Sequence, residues 1–143
     1  MIDVLTESPH WKGLAPAVRR AAEAVLKAER KAKWSVVISL SDDASVRALN
    51  KQYRGKDRPT NVLSFPDGEE MRLGDMILAY ETVAREAEAQ GKKLKDHVTH
   101  LTMHGVLHLL GYDHETDSDA KAMERKEIRL LAAMAIANPY ECG

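Results

Sequence analysis

The segment of residues 100–114 reads HLTMHGVLHLLGYDH, and its spacing predicts a helix that ends at Gly111. His104 and His108 lie one turn apart on one face of this helix, so both imidazoles can reach one metal ion. Gly111 can adopt the left-handed conformation that ends a helix and turns the chain back, which would bring His114 to the same ion. The sequence therefore predicts a metal site with three histidine ligands and one open position, as catalytic zinc requires.

A further histidine, His100, extends the row of histidines at intervals of four residues. At 1.5 Å of rise per residue, His100 and His108 are about 12 Å apart along the helix, too far for both to bind one ion at about 2.1 Å. Since the turn at Gly111 returns the chain near the end of the helix, His104 and His108 are the pair that His114 can join. We therefore expect His100 either to stand behind the ligands without binding the metal or to lie in the wall of the site.

The alternative to a metal site is a set of partly buried, hydrogen-bonded helix histidines, which is the commoner explanation for an isolated pair. The third histidine completes the spacing His-x-x-x-His-x-x-Gly-x-x-His, which is that of the metzincin proteases. Those proteases place a glutamate base directly after the first histidine, where this chain has Gly105. The sequence therefore favours a metal site and argues against a peptidase of that mechanism.

The composition fits one domain over residues 1–143, with 44% hydrophobic residues and enough length to bury a core. With 21 basic and 22 acidic residues the net charge is −1, which argues against a histone-like protein. The single cysteine, Cys142, excludes an internal disulfide framework and a multi-cysteine zinc ribbon. Asp3 is unlike the basic start of a secretion signal, and the apolar run at residues 130–137 is far below the roughly 20 residues of a membrane span. We expect a soluble, cytoplasmic protein.

Hydrophobic periodicity predicts strands and helices that do not alternate strictly, which favours an α+β fold. We expect a single small mixed β-sheet packed with about five helices, and a cleft beside the metal-binding helix. The predicted strands are residues 2–5, 34–40, 61–65 and 75–79. The predicted helices are residues 16–31, one that begins after a cap within residues 41–43, 81–90, 95–110, and a last one that Ser118 caps and that ends before Pro139.

A charged loop at residues 54–60, RGKDRPT, separates the second helix from the third strand. Arg54 opens this loop, and its guanidinium suits the recognition of phosphate. A solvated charged turn is the simpler interpretation of the loop from the sequence alone. Near the histidines, Asp113 has two interpretations as well: its carboxylate could orient an imidazole, or it could serve its own turn.

Three blocks of this sequence resemble the YbeY endoribonucleases, the bacterial rRNA maturation factors. Residues 104–114 match the family signature His-Gly-x-Leu-His-Leu-x-Gly-Tyr-Asp-His at every fixed position. Residues 53–66, YRGKDRPTNVLSFP, match a second block, and residues 73–75 match a Leu-Gly-Asp element. The blocks follow one another in the family's order, from the middle to the later part of the chain.

The resemblance implies a small α+β fold with one zinc ion per chain, bound in a cleft by His104, His108 and His114. It implies a single-strand-specific endoribonuclease that acts in 16S rRNA 3′-end maturation and ribosome quality control, with rRNA and the small ribosomal subunit as partners rather than DNA or a membrane. Arg54 falls on the arginine that is considered important for activity in the family. Ser64 and Asp75 also match the motifs, without an implied role.

The residues are chemically suited to cleave a phosphodiester. A metal with an open position can lower the pKa of a bound water towards about 7 or polarise a phosphoryl oxygen. Two other interpretations stay open: a ribosome-associated assembly factor with a mainly structural metal, and a metal-dependent hydrolase of a substrate that is not a nucleic acid. Removal of a structural ion should collapse the fold, whereas removal of a catalytic ion should leave much of it standing.

Overall fold

A computed structural model describes residues 1–140, so Cys142 lies outside the described residues. The strands are β1 (Ile2–Thr6), β2 (Ser35–Ser41), β3 (Val62–Pro66) and β4 (Arg72–Ala79). The helices are α1 (Ala15–Ala28), α2 (Asp43–Arg54), α3 (Tyr80–Ala89), α4 (Leu94–Leu109) and α5 (Asp117–Ala133), and a short 3₁₀ turn covers Pro9–Trp11.

The four strands form one mixed sheet in the order β1-β2-β4-β3. β1 and β4 both run parallel to β2, whereas β3 runs antiparallel to β4. The α+β prediction with a single small mixed sheet and about five helices is therefore confirmed. Within the described residues, no helix has both the length and the apolar character needed to cross a membrane.

Alternate residues of the strands enter two separate hydrophobic layers, as the two-residue period of a strand requires. Ile38 and Leu78 contribute to the larger layer, which also contains apolar residues of α1, α4 and α5. Leu63 and Ile77 face the other way and pack with Val46 of α2 in a smaller cluster. The sheet thus lies between α2 on one face and the helical layer that contains α4 on the other.

Helix α4 is the central element of the larger layer, because 11 of its 16 residues are buried. Gly105 gives it close contact with the sheet: a Cβ atom at this position would overlap the Met76 side chain and lie 3.2 Å from Ser64 Oγ. The Ser64 hydroxyl also donates a hydrogen bond of 3.2 Å to the Gly105 carbonyl. The residue that replaces the protease glutamate therefore lies in the contact between α4 and the sheet.

The predicted element boundaries agree with the structure except at a few ends. Asp42 caps α2 by accepting a hydrogen bond of 2.8 Å from Ser45 N, within the predicted cap region. The prediction that Ser118 caps the last helix is wrong. Thr116 is the cap, because its side chain accepts from Asp119 N at 3.1 Å, and Ser118 lies inside the first turn. The last helix also ends earlier than predicted, at Ala133.

The glycine of the Leu-Gly-Asp element occupies a position where the structure leaves no room for a side chain. Gly74 has a φ of +137°, and a Cβ atom there would overlap the Phe65 carbonyl oxygen and lie 3.0 Å from Asp67 N. We expect Gly74→Ala to lower the free energy of unfolding by about 3 kcal/mol, through left-handed strain and overpacking against backbone. Urea unfolding measures this change.

Gly68→Ala is the matched control, because Gly68 also has a positive φ, +82°, but its added Cβ would meet no heavy atom within 4 Å. We expect a loss of about 1 kcal/mol there, from backbone strain alone. Equal losses for the two variants would contradict the steric explanation.

Candidate metal centre

Three histidines meet at the carboxyl end of α4. One ring nitrogen from each of His104, His108 and His114 lies within 4.8 Å of the other two. The ring centroids are 4.6 Å apart for His104 and His108, 5.0 Å for His108 and His114, and 5.7 Å for His104 and His114. Imidazole nitrogens suit zinc and other transition metals, so this group could hold one metal ion.

The turn that brings His114 to the helix forms as the sequence predicts. Gly111 has a φ of +105°, its N–H donates to the His108 carbonyl at 3.0 Å, and the Tyr112 N–H donates to the Leu107 carbonyl at 3.0 Å. These two bonds are the pair that defines a Schellman motif. They satisfy the last carbonyls of α4 and reverse the chain towards the ligand face.

The loop that carries His114 is fixed by a contact between three elements. The Tyr112 hydroxyl donates a hydrogen bond of 2.6 Å to Glu29, just beyond α1, and Lys126 of α5 donates to the same carboxylate at 2.8 Å. Burial raises the pKa of Glu29, but the bonds from Lys126 and Tyr112 outweigh it and lower this pKa overall. Asp113 accepts from Glu115 N at 3.3 Å, so it serves its own turn.

A buried carboxylate that the sequence did not reveal contacts one of the three histidines. Glu127 of α5 is 0% exposed, and its Oε1 lies 3.1 Å from His104 Nδ1 and 2.8 Å from His100 Nε2. Burial raises the pKa of Glu127, but the hydrogen bonds from His100 and His104 prevail and bring it to about 2. An ionised carboxylate can only accept, so this contact favours the His104 tautomer that carries its proton on Nδ1.

The other ring nitrogen of His104, Nε2, faces the cluster. His104 Nε2 lies 3.1 Å from His108 Nε2. Burial, and then the neighbouring His104 and His114 imidazoles, lower the pKa of His108. A neutral imidazole is the form that binds a metal, so this environment favours the ligand state of His108. His100 lies beside the cluster, as expected, with its ring bonded to Glu127.

The Arg54 loop lies on a cavity that adjoins the histidines. Arg54, Lys56 and Arg58 line a cavity of about 350 Å³ that also includes Asn61 and Glu86. Asn61 and Glu86 line a second cavity of about 360 Å³ as well. The second cavity also contains His104, so the two cavities share a wall between the cationic loop and the histidine cluster.

The shared wall is held in place by hydrogen bonds. Glu86 accepts from the Asn61 amide at 3.1 Å and lies 3.0 Å from His97 Nε2. Burial lowers the pKa of His97, although the Glu86 carboxylate opposes this effect. In the loop, the Asn50 amide donates to the Arg58 carbonyl at 2.9 Å, which fixes the backbone while Arg54 stays exposed.

The two motif residues without an implied role lie in different surroundings. Ser64 is bonded to the Gly105 carbonyl and therefore joins β3 to α4. Asp75 pairs with Phe65 across the sheet and lines a cavity with Tyr53 beside α2. Ser64 thus supports the packing of the helix that carries His104 and His108, whereas Asp75 lies in a separate cavity.

Comparison with protein families matches residues 5–135 of this chain to the family described as Endoribonuclease YbeY. A relative named Endoribonuclease YbeY from Parvibaculum lavamentivorans is 48% identical, with 97% of this chain and 84% of that protein covered. A second, from Rhodopseudomonas palustris, is 50% identical over 84% of this chain and 74% of its own length. A third, from a Jannaschia species, is 43% identical over 97% of this chain and 99% of its own.

The fold is also similar to a solved structure. The solution structure of TM1509 from Thermotoga maritima superposes with a TM-score of 0.66 at 28% identity, covering 94% of this chain and 92% of that one. The similarity therefore extends over nearly the whole of both chains.

The geometry predicts one metal ion per chain, with His108 as an indispensable ligand. We expect purified protein to bind one equivalent of zinc and His108→Ala to lose it, as measured by elemental analysis of the gel-filtered proteins. His10→Ala is the control, because His10 is exposed and stacks on Tyr80 rather than joining the cluster. Undiminished zinc in His108→Ala would refute the assignment.

Proposed function

The chain belongs to the YbeY endoribonuclease family, and on that premise we propose that it is a zinc-dependent, single-strand-specific endoribonuclease. We assign it to 16S rRNA 3′-end maturation and ribosome quality control in the cytoplasm. Its proposed partners are rRNA and the small ribosomal subunit, without DNA or a membrane. Residues 1–143 form a single catalytic domain in this proposal, and His104, His108 and His114 hold one zinc ion.

The observation that carries this proposal is the adjacency of the histidine cluster and the cationic cavity. The two cavities share Asn61 and Glu86, so a chain of phosphates that contacts Arg54 can continue towards His104. Arg54, which lines one of the two cavities, is exposed, and so is His114 of the histidine cluster. An extended single strand suits such a surface, because its phosphates are accessible along the whole length.

The division of tasks between residues follows from their chemistry. Zinc, when bound, supplies a Lewis acid that lowers the pKa of a water molecule and polarises a phosphoryl oxygen. Arg54 donates charge-assisted hydrogen bonds to phosphate oxygens and stabilises the negative charge that develops as the bond breaks. Glu127 Oε1 lies 3.1 Å from His104 Nδ1, and this contact leaves Nε2 of the ring for the metal.

The chain lacks the glutamate base of a metzincin protease, because Gly105 occupies its position. A side chain at this position would point at Met76 and Ser64 in the sheet contact, where it would be buried in the packing. A glutamate next to the first histidine would therefore have to displace the end of the Met76 side chain, and it would point into the sheet contact. A mainly structural metal is also less favoured, because His104 and His108 are half-buried and His114 is exposed, which places the cluster at the surface rather than in the core.

The proposed activity predicts cleavage of single-stranded RNA with little cleavage of a duplex of the same sequence. We expect zinc-loaded protein to cut the single strand, and His108→Ala at the same concentration to leave it intact. Denaturing electrophoresis and mapping of the product ends measure both outcomes. Equal cleavage by the wild type and His108→Ala would refute the metal-dependent mechanism.

The assignment of Arg54 predicts a loss of catalysis without a loss of stability. Arg54→Ala changes an exposed side chain, so we expect the free energy of unfolding to shift by no more than about 0.5 kcal/mol. We expect the rate of RNA cleavage to fall about a hundredfold, since a charge-assisted contact of the transition state contributes about 3 kcal/mol. Single-turnover cleavage with zinc-loaded protein measures the rate.

Two further variants separate charge, geometry and general effects on RNA binding. Arg54→Lys keeps the charge but loses the planar fork, so a slow variant would indicate bidentate recognition. Arg20→Ala removes an exposed arginine from α1 and should cleave at the wild-type rate. Wild-type cleavage by Arg54→Ala with its zinc retained would exclude a catalytic role for this arginine.

A further inference from the structure

Glu127 is the one buried acidic residue among residues 1–140. It is placed on α5 between Met123 and Leu131, four residues from each, on the stripe that this helix buries. Burying an unpaired carboxylate costs several kcal/mol, so a charge in this position requires donors around it. The surrounding donors come from α4 and from the segment that follows α5.

Three side chains meet the Glu127 carboxylate. His100 Nε2 and His104 Nδ1 approach Oε1 at 2.8 and 3.1 Å. The Tyr140 hydroxyl lies 3.1 Å from each of the two oxygens. All of the three groups can donate, and the carboxylate accepts from all of them at once.

We propose that Glu127 is a positioning residue for the metal site, and that Tyr140 and His100 hold it in place. Its bond fixes His104 with the proton on Nδ1 and with Nε2 facing His108. This inference rests on the proposed zinc site, and it adds a residue from α5 and one from the chain beyond α5 to that site. Carboxylates that hold a ligand histidine in this way raise its basicity and set its ring orientation.

The segment after α5 is held at the site by three contacts. The Tyr140 ring packs edge-to-face against His100, with 5.5 Å between the ring centroids. The Tyr140 hydroxyl also lies 3.2 Å from His100 Nε2. Lys92, which precedes α4, donates a hydrogen bond of 3.3 Å to the Pro139 carbonyl. Tyr140 therefore reaches Glu127 from a segment that is itself tied to the start of α4.

A carboxylate with a purely structural role would contact a histidine outside the metal site, and its removal would leave zinc binding unchanged. Glu86 of α3 provides the comparison, because it lies 3.0 Å from Nε2 of His97, a histidine on the same helix as His104. His97 is outside the group of three converging histidines. Removing the charge of Glu86 therefore perturbs a carboxylate–histidine pair without touching a ligand. Removing the charge of Glu127 perturbs a pair whose histidine belongs to the cluster.

The test is zinc affinity, measured by competition with a chromogenic chelator on the full chain. We expect Glu127→Gln to bind zinc 10- to 100-fold more weakly than the wild type, the usual range for a partner of a ligand histidine. Glu86→Gln should keep the wild-type zinc affinity. Circular dichroism and a thermal melt establish that each variant is folded.

A second readout follows the tautomer directly. In ¹⁵N-labelled protein, long-range proton–nitrogen spectra distinguish a His104 ring protonated on Nδ1 from one protonated on Nε2. We expect the Nδ1–H form in the wild type and in Glu86→Gln, and loss of its dominance in Glu127→Gln. A merely structural role for Glu127 would leave both the tautomer and the zinc affinity unchanged in a folded variant.

Tyr140→Phe keeps the carboxylate and removes only the hydroxyl, so it tests the proposal even if Glu127→Gln does not fold. We expect a three- to tenfold loss of zinc affinity and an unchanged Tm within a few degrees. Wild-type affinity and tautomer in folded Glu127→Gln, or in Tyr140→Phe if the former does not fold, would overturn the positioning role. Failure of the wild type itself to bind zinc would instead refute the metal site of the proposed function.

Discussion

The close packing of α4 against the sheet at Gly105 is the contact on which the candidate site depends. With no side chain at this position, the helix backbone approaches Met76 and accepts a hydrogen bond from Ser64. That contact fixes the rotation of α4 about its axis, because a helix with one face on the sheet has its other faces determined. His104 and His108 are thereby placed on the flank that α5 and the turn after Gly111 complete.

The three histidines of the site lie on two kinds of structure, a helix and a loop. Two histidines are on a helix that is buried along most of its length, and the third is on a short loop tied to α1 and α5 through Glu29. Such a loop orders the third ligand without placing it in the core. The cationic loop at Arg54 is more exposed, and its backbone is held by Asn50. The buried helix thus carries two of the three histidines, whereas Arg54 lies on an exposed loop.

Sequence patterns predict the features of the site that depend on residues a few positions apart in the chain. The spacing of His104 and His108 and the glycine at position 111 predict a turn that the structure contains with the expected hydrogen bonds. Glu127 was missed because its partners are 23 and 27 residues away, beyond the reach of helix periodicity. The one available signal was an acidic residue on the apolar stripe of α5. The cap at Thr116 was missed because Ser118, two residues later, is an equally good capping side chain.

The position of Glu127 along the chain has a consequence for synthesis. A nascent chain grows from its amino end, so all three converging histidines are made before the carboxylate that bonds to His104, and Tyr140 follows later still. A chain that stops before residue 127 contains all three histidines but lacks the carboxylate that lies beside His104 Nδ1. The contact between Glu127 and His104 can therefore form only after α5 has been made.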